Sequence, residues 1–342
     1  MKIKERVPLK NLTTFNVGGR ARYFADVKNY DELSNAIGFS KIQNIPVFVL
    51  GGGSDILVSD RGFKGLVIRY NGKSLEFNEK KSYVLVTAEA GLKWDKLVEA
   101  SVARNLQGIE CLSGIPGSVG AAPIQNIGAY GQELKNTFVN LTAYDIKKQK
   151  FIQLDKKDCG FDYRESIFKK SGNKGYIIVD VTLKLNKRKS PTISYQSLID
   201  YLKEHEIGAP SLREVREAIL KIRENKFENY LETPNAGSFF KNPVIEHSKL
   251  KNLKRLYPNI PYFEYANRKY KCFAGWFIEK AGWKGKKYGN AAVSAKHALV
   301  LINPKKLAKA SEIKTLAKKI SDDVYRKFKV RLEPEVQFIG FE

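Results

Sequence analysis

An uncharged, glycine-rich segment spanning residues 113–131 constrains this 342-residue chain more than any other feature. It contains five glycines and no charged side chain, in a protein where 28% of the residues are charged. Glycine costs backbone entropy and offers no side chain to a core, so this density indicates that the main chain closely approaches a ligand. We expect this segment, called the long glycine loop, to lie under a flat, buried ligand.

A second glycine cluster, residues 51–55 (GGGSD), follows the apolar run 45–49 and is called the short glycine loop. N–H groups directly after a strand are well placed to bind phosphate oxygens. Neither loop fits a common nucleotide motif: Ile56 stands where a Rossmann fingerprint needs its third glycine, and no Gly-Lys-Ser/Thr follows as in Walker A. Two structural interpretations stay open: the short glycine loop could be only a tight turn, and the long glycine loop could be only a packed structural loop. Together, the two loops favour a large cofactor that carries phosphate.

Apolar periodicity predicts a mixed α+β chain. The spacings indicate helices over residues 30–39, 92–106, 212–227 and 313–328. Ser211 and Glu214 form a capping pattern at the start of the third helix. With 43% apolar and 11% aromatic side chains, the chain is expected to build two or three lobes. Strands are predicted over residues 45–50, 65–69, 83–88, 140–144, 150–154 and 175–185, with a strand-like stretch over 331–340.

The formal charge of +24 has two interpretations. One is attraction to a polyanion such as nucleic acid, acidic lipid or a nucleotide-bearing substrate. The other is a lysine-rich surface, which we favour because the basic residues are scattered and no nucleic-acid-binding motif accompanies them. No apolar stretch approaches the ~20 residues that a membrane-spanning helix needs. We expect no specific nucleic acid partner, no membrane insertion and no secretory signal.

Cysteine and histidine usage argues against metal and disulfide sites. Cys111, Cys159 and Cys272 are odd in number, widely spaced and without a Cys-x-x-Cys pattern. The chain has three histidines, and each is expected to be structural or exposed. We therefore predict no metal site, and the cysteine usage favours a reducing cytoplasm.

Three polar motifs could carry chemistry. Arg164 lies within residues 162–165 (DYRE), where an ordinary surface ion pair is the alternative. Ser238 follows small residues and precedes two aromatics, but no histidine lies near it in sequence, so a serine hydrolase is not favoured. Glu333 and Glu335 flank a proline, and strand spacing would place both carboxylates on one side. Two roles stay open for this pair of carboxylates: general acid–base catalysis, or solvent exposure at the edge of a sheet.

Taken in order, these motifs resemble the UDP-N-acetylenolpyruvoylglucosamine reductases, and the combination is highly specific and covers nearly the whole chain. Tyr195, within residues 193–196 (ISYQ), matches the substrate-capping tyrosine of the longer subclass of this family. The other matching segments are NLTTFN (11–16), LGGGSDILVSD (50–60), IPGSVGAAPIQNIGAYG (115–131), CGFDYRES (159–166), AGSFFKNP (236–243), AGWFIEKAGWKGKKYGN (274–290), ALVLIN (298–303) and LEPEVQFIG (332–340).

The resemblance implies an α+β protein with an FAD-binding fold of the vanillyl-alcohol-oxidase (PCMH) type in two subdomains, plus a C-terminal α+β substrate lobe. The expected bounds are 1–70 for the first subdomain, with 333–342 returning to it, 71–190 for the second, and 191–332 for the substrate lobe. Non-covalent FAD is expected, since neither glycine loop contains a histidine. The expected FAD-binding residues are Gly51, Gly52, Gly53, Ser54, Asp55, Gly117, Ser118, Gly120, Ala121 and Ile178.

The resemblance also implies a reaction. NADPH, as co-substrate, reduces the flavin, and hydride then passes to the outer vinyl carbon of UDP-N-acetylglucosamine enolpyruvate, a UDP-sugar. By this resemblance Arg164 and Glu335 stabilise the enolate and Ser238 protonates the other carbon. The residues expected to bind the substrate are Tyr130, Tyr195, Lys226 and Asn242.

Two positions depart from the family pattern. Residues 227–230 (FENY) follow Lys226 where members commonly have Leu-Pro-Asp-Pro, and Asp55 replaces the usual asparagine. We expect the Asp55 carboxylate to point away from phosphate, or to bond a ribose or a backbone N–H. Another FAD-dependent oxidoreductase of the same fold and a basic nucleic-acid-binding protein are the alternative functions. A monomer is expected.

Overall fold

The computed structural model describes residues 1–170 and 175–341. Its helices are α1 (Tyr30–Ile42), α2 (Trp94–Ala103), α3 (Lys156–Cys159), α4 (Gln196–Glu204), α5 (Leu212–Lys226), α6 (His247–Leu256), α7 (Ala274–Lys280) and α8 (Ala310–Phe328).

Most strands are short and connected by loops. They are β1 (Ile3–Pro8), β2 (Arg20–Val27), β3 (Val47–Val49), β4 (Ile56–Val58), β5 (Phe63–Tyr70), β6 (Leu75–Glu79), β7 (Tyr83–Glu89), β8 (Leu106–Gln107), β9 (Gly128–Ala129), β10 (Gln132–Glu133), β11 (Phe138–Asp145), β12 (Lys150–Asp155), β13 (Tyr176–Lys187), β14 (Asn235–Ser238), β15 (Val244–Glu246), β16 (Tyr262–Ala266), β17 (Lys269–Cys272), β18 (Lys287–Tyr288), β19 (Ala291–Val293), β20 (Val300–Ile302) and β21 (Gln337–Ile339).

The chain divides into two compact units. The larger unit comprises residues 1–7, 21–53 and 64–224, and the smaller unit comprises residues 8–20, 54–63 and 225–342. The boundary therefore falls within the short glycine loop, after Gly53. The predicted division into three domains remains a prediction, and its last residue, Glu342, lies outside the described residues.

Two sheets form the larger unit. One has the strand order β1-β2-β5-β3, and the other has the order β12-β11-β13-β7-β6 with β8 beside β13. On the first sheet, α1 buries Leu33, Ala36 and Ile37 in one apolar cluster with residues of β2 and β5. On the second, α2 buries Trp94 and Leu97 in a cluster with β7 and β13. Each helix therefore uses its apolar stripe to cover a sheet face.

The smaller unit has its own core. It contains a sheet of order β14-β20-β19-β18, a sheet of order β15-β17-β16, and the parallel pair β21–β4. The stripe of α8 (Ile313, Leu316, Ile320, Val324 and Phe328) is buried in one cluster with Phe277 and Ile278 of α7. The spacings of three and four that predicted this helix are thus the spacings of its core face.

Most predicted elements are confirmed, and the errors lie at their ends. The helix predicted over residues 92–106 ends at Ala103, and Leu106 instead belongs to β8, which pairs with β13. Regular strand occupies only residues 337–339 of the predicted stretch 331–340. Pro334 forms an isolated bridge with Phe240, in keeping with a proline that has no N–H for a ladder.

Within the described part of the chain, none of the helices combines the length and the apolar character needed to cross a bilayer. Residues 1–170 and 175–341 also bring together no group of three His, Cys, Asp or Glu side chains that could hold a metal ion.

Candidate active site

The two glycine loops are in direct contact within the larger unit. A Cβ atom built on Gly51 would lie 2.9 Å from Ser118 Oγ and 3.1 Å from the Ala121 Cβ. A Cβ built on Gly52 would lie 2.7 Å from the Gly117 Cα, which is closer than real Cβ contacts. Part of the glycine requirement is therefore structural, because one backbone packs directly on the other. The same contact places five of the predicted FAD-binding residues side by side.

The long glycine loop is fixed to the end of β7 and the start of α2. The Gly120 N–H donates to the Ala90 carbonyl at 3.0 Å, and the Trp94 N–H donates to the Gly117 carbonyl at 3.1 Å. A Cβ on Gly120 would lie 2.5 Å from the Ala90 Cβ. Ile178, also predicted to bind FAD, is buried in β13, beside this part of the sheet. These bonds give the uncharged loop a defined course.

Arg164 is attached to the second half of the long glycine loop. Its Nη2 donates to the Gly128 carbonyl at 2.6 Å, and its φ of 54° is in the left-handed region. Nearby, the Ser166 hydroxyl donates to the Ile124 carbonyl at 2.5 Å, and the Asn126 side chain donates to the Asp162 carbonyl at 3.1 Å. The DYRE motif is thus docked onto the loop, and Arg164 places a fixed positive charge at the loop's end.

Two tyrosines and an arginine lie beside the same loop. The rings of Tyr130 and Tyr195 meet edge to face, with centroids 5.5 Å apart. The hydroxyl of Tyr130 is hydrogen-bonded to Arg223. Burial raises the pKa of Tyr130, an effect that Arg223 opposes, and burial also raises the pKa of Tyr195. Both hydroxyls therefore stay protonated at neutral pH and remain able to donate hydrogen bonds.

Arg223 is a residue that the sequence reasoning missed. It lies on α5, three residues before the predicted Lys226. A Cβ on Gly114 would lie 3.1 Å from Arg223 Nε, so the guanidinium packs against the start of the long glycine loop. Burial lowers the pKa of Arg223, while Tyr130 and Asp95 oppose that shift. Its position one turn from Lys226 was the available signal, because residues three apart share a helix face.

In the smaller unit, Ser238 and Glu335 lie on adjacent chain segments. Ser238 ends β14 and is paired with Val300 of β20. On the other side of this strand, the Glu335 N–H donates to the Phe239 carbonyl at 2.8 Å. Both side chains are partly buried. The structure therefore brings together the segments of two predicted catalytic residues that are far apart in sequence, through a backbone hydrogen bond between Glu335 and Phe239, the neighbour of Ser238.

A local turn determines how Ser238 is presented. Gly237 has a φ of 69°, and its N–H donates to the Asn235 side chain at 2.9 Å.

Asn242, predicted to bind the substrate, accepts a hydrogen bond from the Ala274 N–H at 2.9 Å and so caps the start of α7. One of its two side-chain polar atoms is thus committed to the fold.

The remaining predicted residues also belong to the smaller unit. Lys226 lies at the end of α5, and its Nζ is 5.6 Å from the centre of the Phe227 ring, which stacks on His297. Asp55 has a φ of 58°, and its carbonyl accepts from the Gln337 N–H at 3.0 Å. Ser54 stands between Asp55 and the boundary after Gly53.

Comparison with known proteins identifies the family. Residues 229–339 match the family model of the UDP-N-acetylenolpyruvoylglucosamine reductase C-terminal domain, and residues 21–148 match that of an FAD binding domain. The UDP-N-acetylenolpyruvoylglucosamine reductase of Pseudomonas aeruginosa is 38% identical over 336 residues, which cover 98% of each chain. This chain belongs to the UDP-N-acetylenolpyruvoylglucosamine reductase family.

Other members of this reductase family match equally completely. The reductase of Flavobacterium johnsoniae is 37% identical over 341 residues, covering 99% of this chain and 100% of the relative. The crystal structure of the reductase from Thermus caldophilus superposes with a TM-score of 0.70 at 26% identity, covering 99% of this chain and 100% of that one. The predicted family, the α+β FAD-binding fold and FAD as cofactor are confirmed. The roles of individual site residues stay predictions.

The residues of the larger unit are suited to a flavin dinucleotide. Where the two loops meet, Gly51 and Gly52 lie against Gly117, Ser118 and Ala121, so the residues in contact are all small and uncharged. The guanidinium groups of Arg164 and Arg223 lie against the long glycine loop. A neutral backbone surface bordered by fixed cations fits a large, anionic cofactor.

Proposed function

We propose that this protein catalyses the NADPH-dependent reduction of UDP-N-acetylglucosamine enolpyruvate to UDP-N-acetylmuramate, for peptidoglycan synthesis in the bacterial cytoplasm. The observation that carries this proposal is the presence in one chain of both family domains, FAD-binding at 21–148 and reductase C-terminal at 229–339. The second of these domains contains Ser238 and Glu335. We further propose that the enzyme acts as a monomer.

In this proposal FAD is held without a covalent bond by the two glycine loops. The residues assigned to it are Gly51, Gly52, Gly53, Ser54, Asp55, Gly117, Ser118, Gly120, Ala121 and Ile178. When bound, FAD would supply the hydride transfer from NADPH to the outer vinyl carbon of the enolpyruvyl group. The loop-to-loop contact at Gly52 supports this assignment, because it brings small, uncharged residues of both loops together at one place.

Arg164 and Glu335 are proposed to stabilise the negative charge that develops on the substrate. Hydride addition to the vinyl carbon moves an electron pair into the carboxylate, which becomes an enolate. Arg164 suits this role because its bond to the Gly128 carbonyl holds the guanidinium in place before the reaction. Glu335 would have to be protonated when it donates a hydrogen bond to the enolate.

Ser238 is proposed to donate the proton that completes the product. The enolate carbon takes the hydroxyl proton, so a methyl group and a new C–H bond replace the double bond. A serine hydroxyl is a weak acid, but a carbanion-like carbon is a strong base, so correct placement is the main requirement. The left-handed turn at Gly237 supports the proposal by setting the direction in which the strand presents Ser238.

The sugar nucleotide is proposed to be bound by Tyr130, Tyr195, Lys226 and Asn242. The rings of Tyr130 and Tyr195 are in contact, and both hydroxyls are protonated and can donate hydrogen bonds to a ligand. We add Arg223, because its guanidinium bonds Tyr130 and packs on Gly114 of the long glycine loop. A permanent cation in that position suits a diphosphate or a carboxylate.

A spectroscopic experiment tests the proposed function. The purified protein should be yellow, NADPH should bleach its flavin absorbance under anaerobic conditions, and UDP-N-acetylglucosamine enolpyruvate should restore it. A flavin that is reoxidised only by oxygen would instead indicate an oxidase of the same fold. A colourless protein that binds oligonucleotides with steep salt dependence would indicate the nucleic-acid-binding alternative.

A further inference from the structure

A buried carboxylate lies directly before the long glycine loop. Glu110 is completely buried, yet it belongs to no predicted site. Its Oε2 accepts a hydrogen bond from the Gly108 N–H at 2.7 Å, and its Oε1 accepts one from the Thr192 N–H at 2.9 Å. A buried carboxylate is costly unless its oxygens are satisfied, and here two backbone donors satisfy them. Glu110 therefore links the turn before the loop to a segment 82 residues further on.

The polar groups of Thr192 are bonded to a second buried residue as well. Gln132, at the end of the long glycine loop, donates through Nε2 to the Thr192 hydroxyl at 3.0 Å and accepts from the Cys111 N–H at 2.8 Å. The Cys111 thiol lies 3.2 Å from the Thr192 carbonyl oxygen. The N–H, hydroxyl and carbonyl of Thr192 are thus each bonded to residues beside the loop.

From this anchor the chain runs along the loop to the predicted capping tyrosine. A Cβ on Gly131 would lie 2.2 Å from Ser194 Oγ, so the two segments are in close contact there. Tyr130, one residue before Gly131, meets Tyr195, one residue after Ser194, edge to face. Residues 192–195, which we call the capping segment, therefore lie against residues 130–132 in a fixed register.

The capping segment is held at both of its ends. Ile193 and Ser194 are exposed, and the preceding residues 188–190 are exposed and polar. At the far end, the Tyr195 ring packs against an apolar cluster that contains Leu198 of α4. The anchor at Thr192 therefore fixes the end of the segment that lies nearer β13.

We propose that Glu110 is a positioning residue that sets the affinity for the sugar nucleotide by holding Thr192, and through it Tyr195, in place. This inference rests on the proposed role of Tyr195 in binding the substrate. In the Glu110→Gln variant, the amide keeps one acceptor oxygen and turns a donor toward the other backbone N–H. The capping segment then loses one charge-assisted hydrogen bond and becomes free to move.

The test compares steady-state and half-reaction kinetics of Glu110→Gln with those of Asp145→Asn. Asp145 is the control for a buried carboxylate elsewhere, since it accepts two backbone N–H bonds, from Lys147 and Lys148, at its Oδ1 in the β11–β12 turn. We expect Glu110→Gln to raise the KM for the sugar nucleotide about tenfold, as losing such a bond implies. The kcat and the rate of flavin reduction by NADPH should stay within about twofold, because neither depends on the affinity for the sugar nucleotide.

A readout that needs no substrate accompanies the kinetics. Trypsin should cut faster after Lys189, an exposed residue next to the capping segment, in Glu110→Gln than in the wild type or in Asp145→Asn. If Glu110→Gln folds poorly, Thr192→Val removes the bonds that the Thr192 hydroxyl accepts from Gln132 and Gln107, while leaving Glu110 intact. The same rise in KM and in cleavage is then expected.

Two results would overturn the inference. In the first, Glu110→Gln and Thr192→Val each lose as much stability as Asp145→Asn, but their KM for the sugar nucleotide is unchanged. Glu110 would then be purely structural. The other is additivity of Glu110→Gln and Tyr195→Ala in KM, since residues that act through one another are non-additive. Failure of the proposed function is distinguishable, because it would appear as wild-type protein that does not turn over the enolpyruvyl sugar nucleotide at all.

Discussion

At the scale of single residues, the predicted chemistry depends on small structural supports. Ser238 is presented by a glycine with a φ of 69° and lies on a strand beside the Glu335 segment. Arg164 is held by one carbonyl of the long glycine loop. Such supports matter because a reacting group must be placed to within fractions of an ångström. Substitutions of Ser238, the proposed proton donor, and of Glu335 test these supports most directly.

Replacing Ser238 by alanine should separate the two halves of the reaction. Flavin reduction by NADPH should proceed at the wild-type rate, while reoxidation by the sugar nucleotide should slow by roughly 10² to 10⁴-fold, the usual contribution of a positioned acid. Stopped-flow absorbance measures both steps. Ser321→Ala, which removes a partly buried hydroxyl bonded to the Leu332 carbonyl, is the control. Equal slowing of both steps would contradict the assignment of Ser238.

Replacing Glu335 by glutamine should also slow the second step. The amide is a much weaker hydrogen-bond donor than a carboxylic acid, so we expect a loss of roughly 10²-fold in turnover, as when an enolate or oxyanion loses a donor. Glu333→Gln is the matched control, because that side chain lies two residues away and is largely exposed. A Glu335→Gln enzyme with full turnover would remove Glu335 from the proposed role.

At the scale of elements, the long glycine loop is the structure on which the site of the larger unit is assembled. It contacts the short glycine loop, the DYRE segment and the capping segment at successive positions. Helix ends follow local rules instead. The α5 helix begins with the predicted capping pair, in which the Glu214 N–H donates to the Ser211 hydroxyl at 3.2 Å and Glu214 accepts from the Ser211 N–H at 2.7 Å. The function of the loop therefore depends on tertiary contacts, whereas the position of a helix end depends largely on neighbouring residues in the sequence.

The contact between the glycine loops predicts the effect of a single methyl group. In Gly52→Ala the new Cβ would lie 2.7 Å from the Gly117 Cα, which is backbone and cannot rotate away. We expect the loops to separate and FAD affinity to fall by at least tenfold, measured by flavin fluorescence on titration. In the control Gly38→Ala, the new Cβ would meet nothing within 4 Å and lies within α1. That variant should keep its FAD affinity and gain up to about 1 kcal/mol of stability. Unchanged FAD affinity in Gly52→Ala would show that the loop contact is not needed for the cofactor.

At the scale of the whole molecule, the charge of +24 sits on a chain of two compact units, and one partly buried histidine links its stability to pH. Burial, helped by Lys226 and Lys284, lowers the pKa of His297 from an ordinary 6.5 to about 4. Between these values the unfolded chain binds more protons than the folded protein. The free energy of unfolding therefore rises with pH across this window.

Acidification should destabilise the protein through His297. From pH 6.5 to pH 4 the free energy of unfolding should fall by up to about 3 kcal/mol because of this group, and the effect should level off below pH 4, where both states are protonated. Denaturant titrations at several pH values measure it. His297→Gln should flatten the profile, whereas His205→Gln, at an exposed position, should leave it unchanged. A wild-type slope retained in His297→Gln would contradict this cause.

Local sequence pattern determined much of this protein. The stripe of α8, the cap of α5, the hairpin of β11 and β12 and the two glycine loops each depend on residues close together in sequence. Side-chain period and turn chemistry act over a few residues, so a single sequence contains them. The family motifs, which are also read from the sequence, predicted the FAD cofactor and the reductase fold.

Only the tertiary structure decided which of these elements touch. The contact of Gly52 with Gly117, the bond from Arg164 to Gly128 and the tie between Glu110 and Thr192 join residues that are 36 to 82 positions apart. No local period carries this information, because such pairs meet only after sheets and helices have packed. For the same reason the contacts of Glu110 are visible only in the folded chain, and the spacing of Arg223 from Lys226 was its one signal in the sequence.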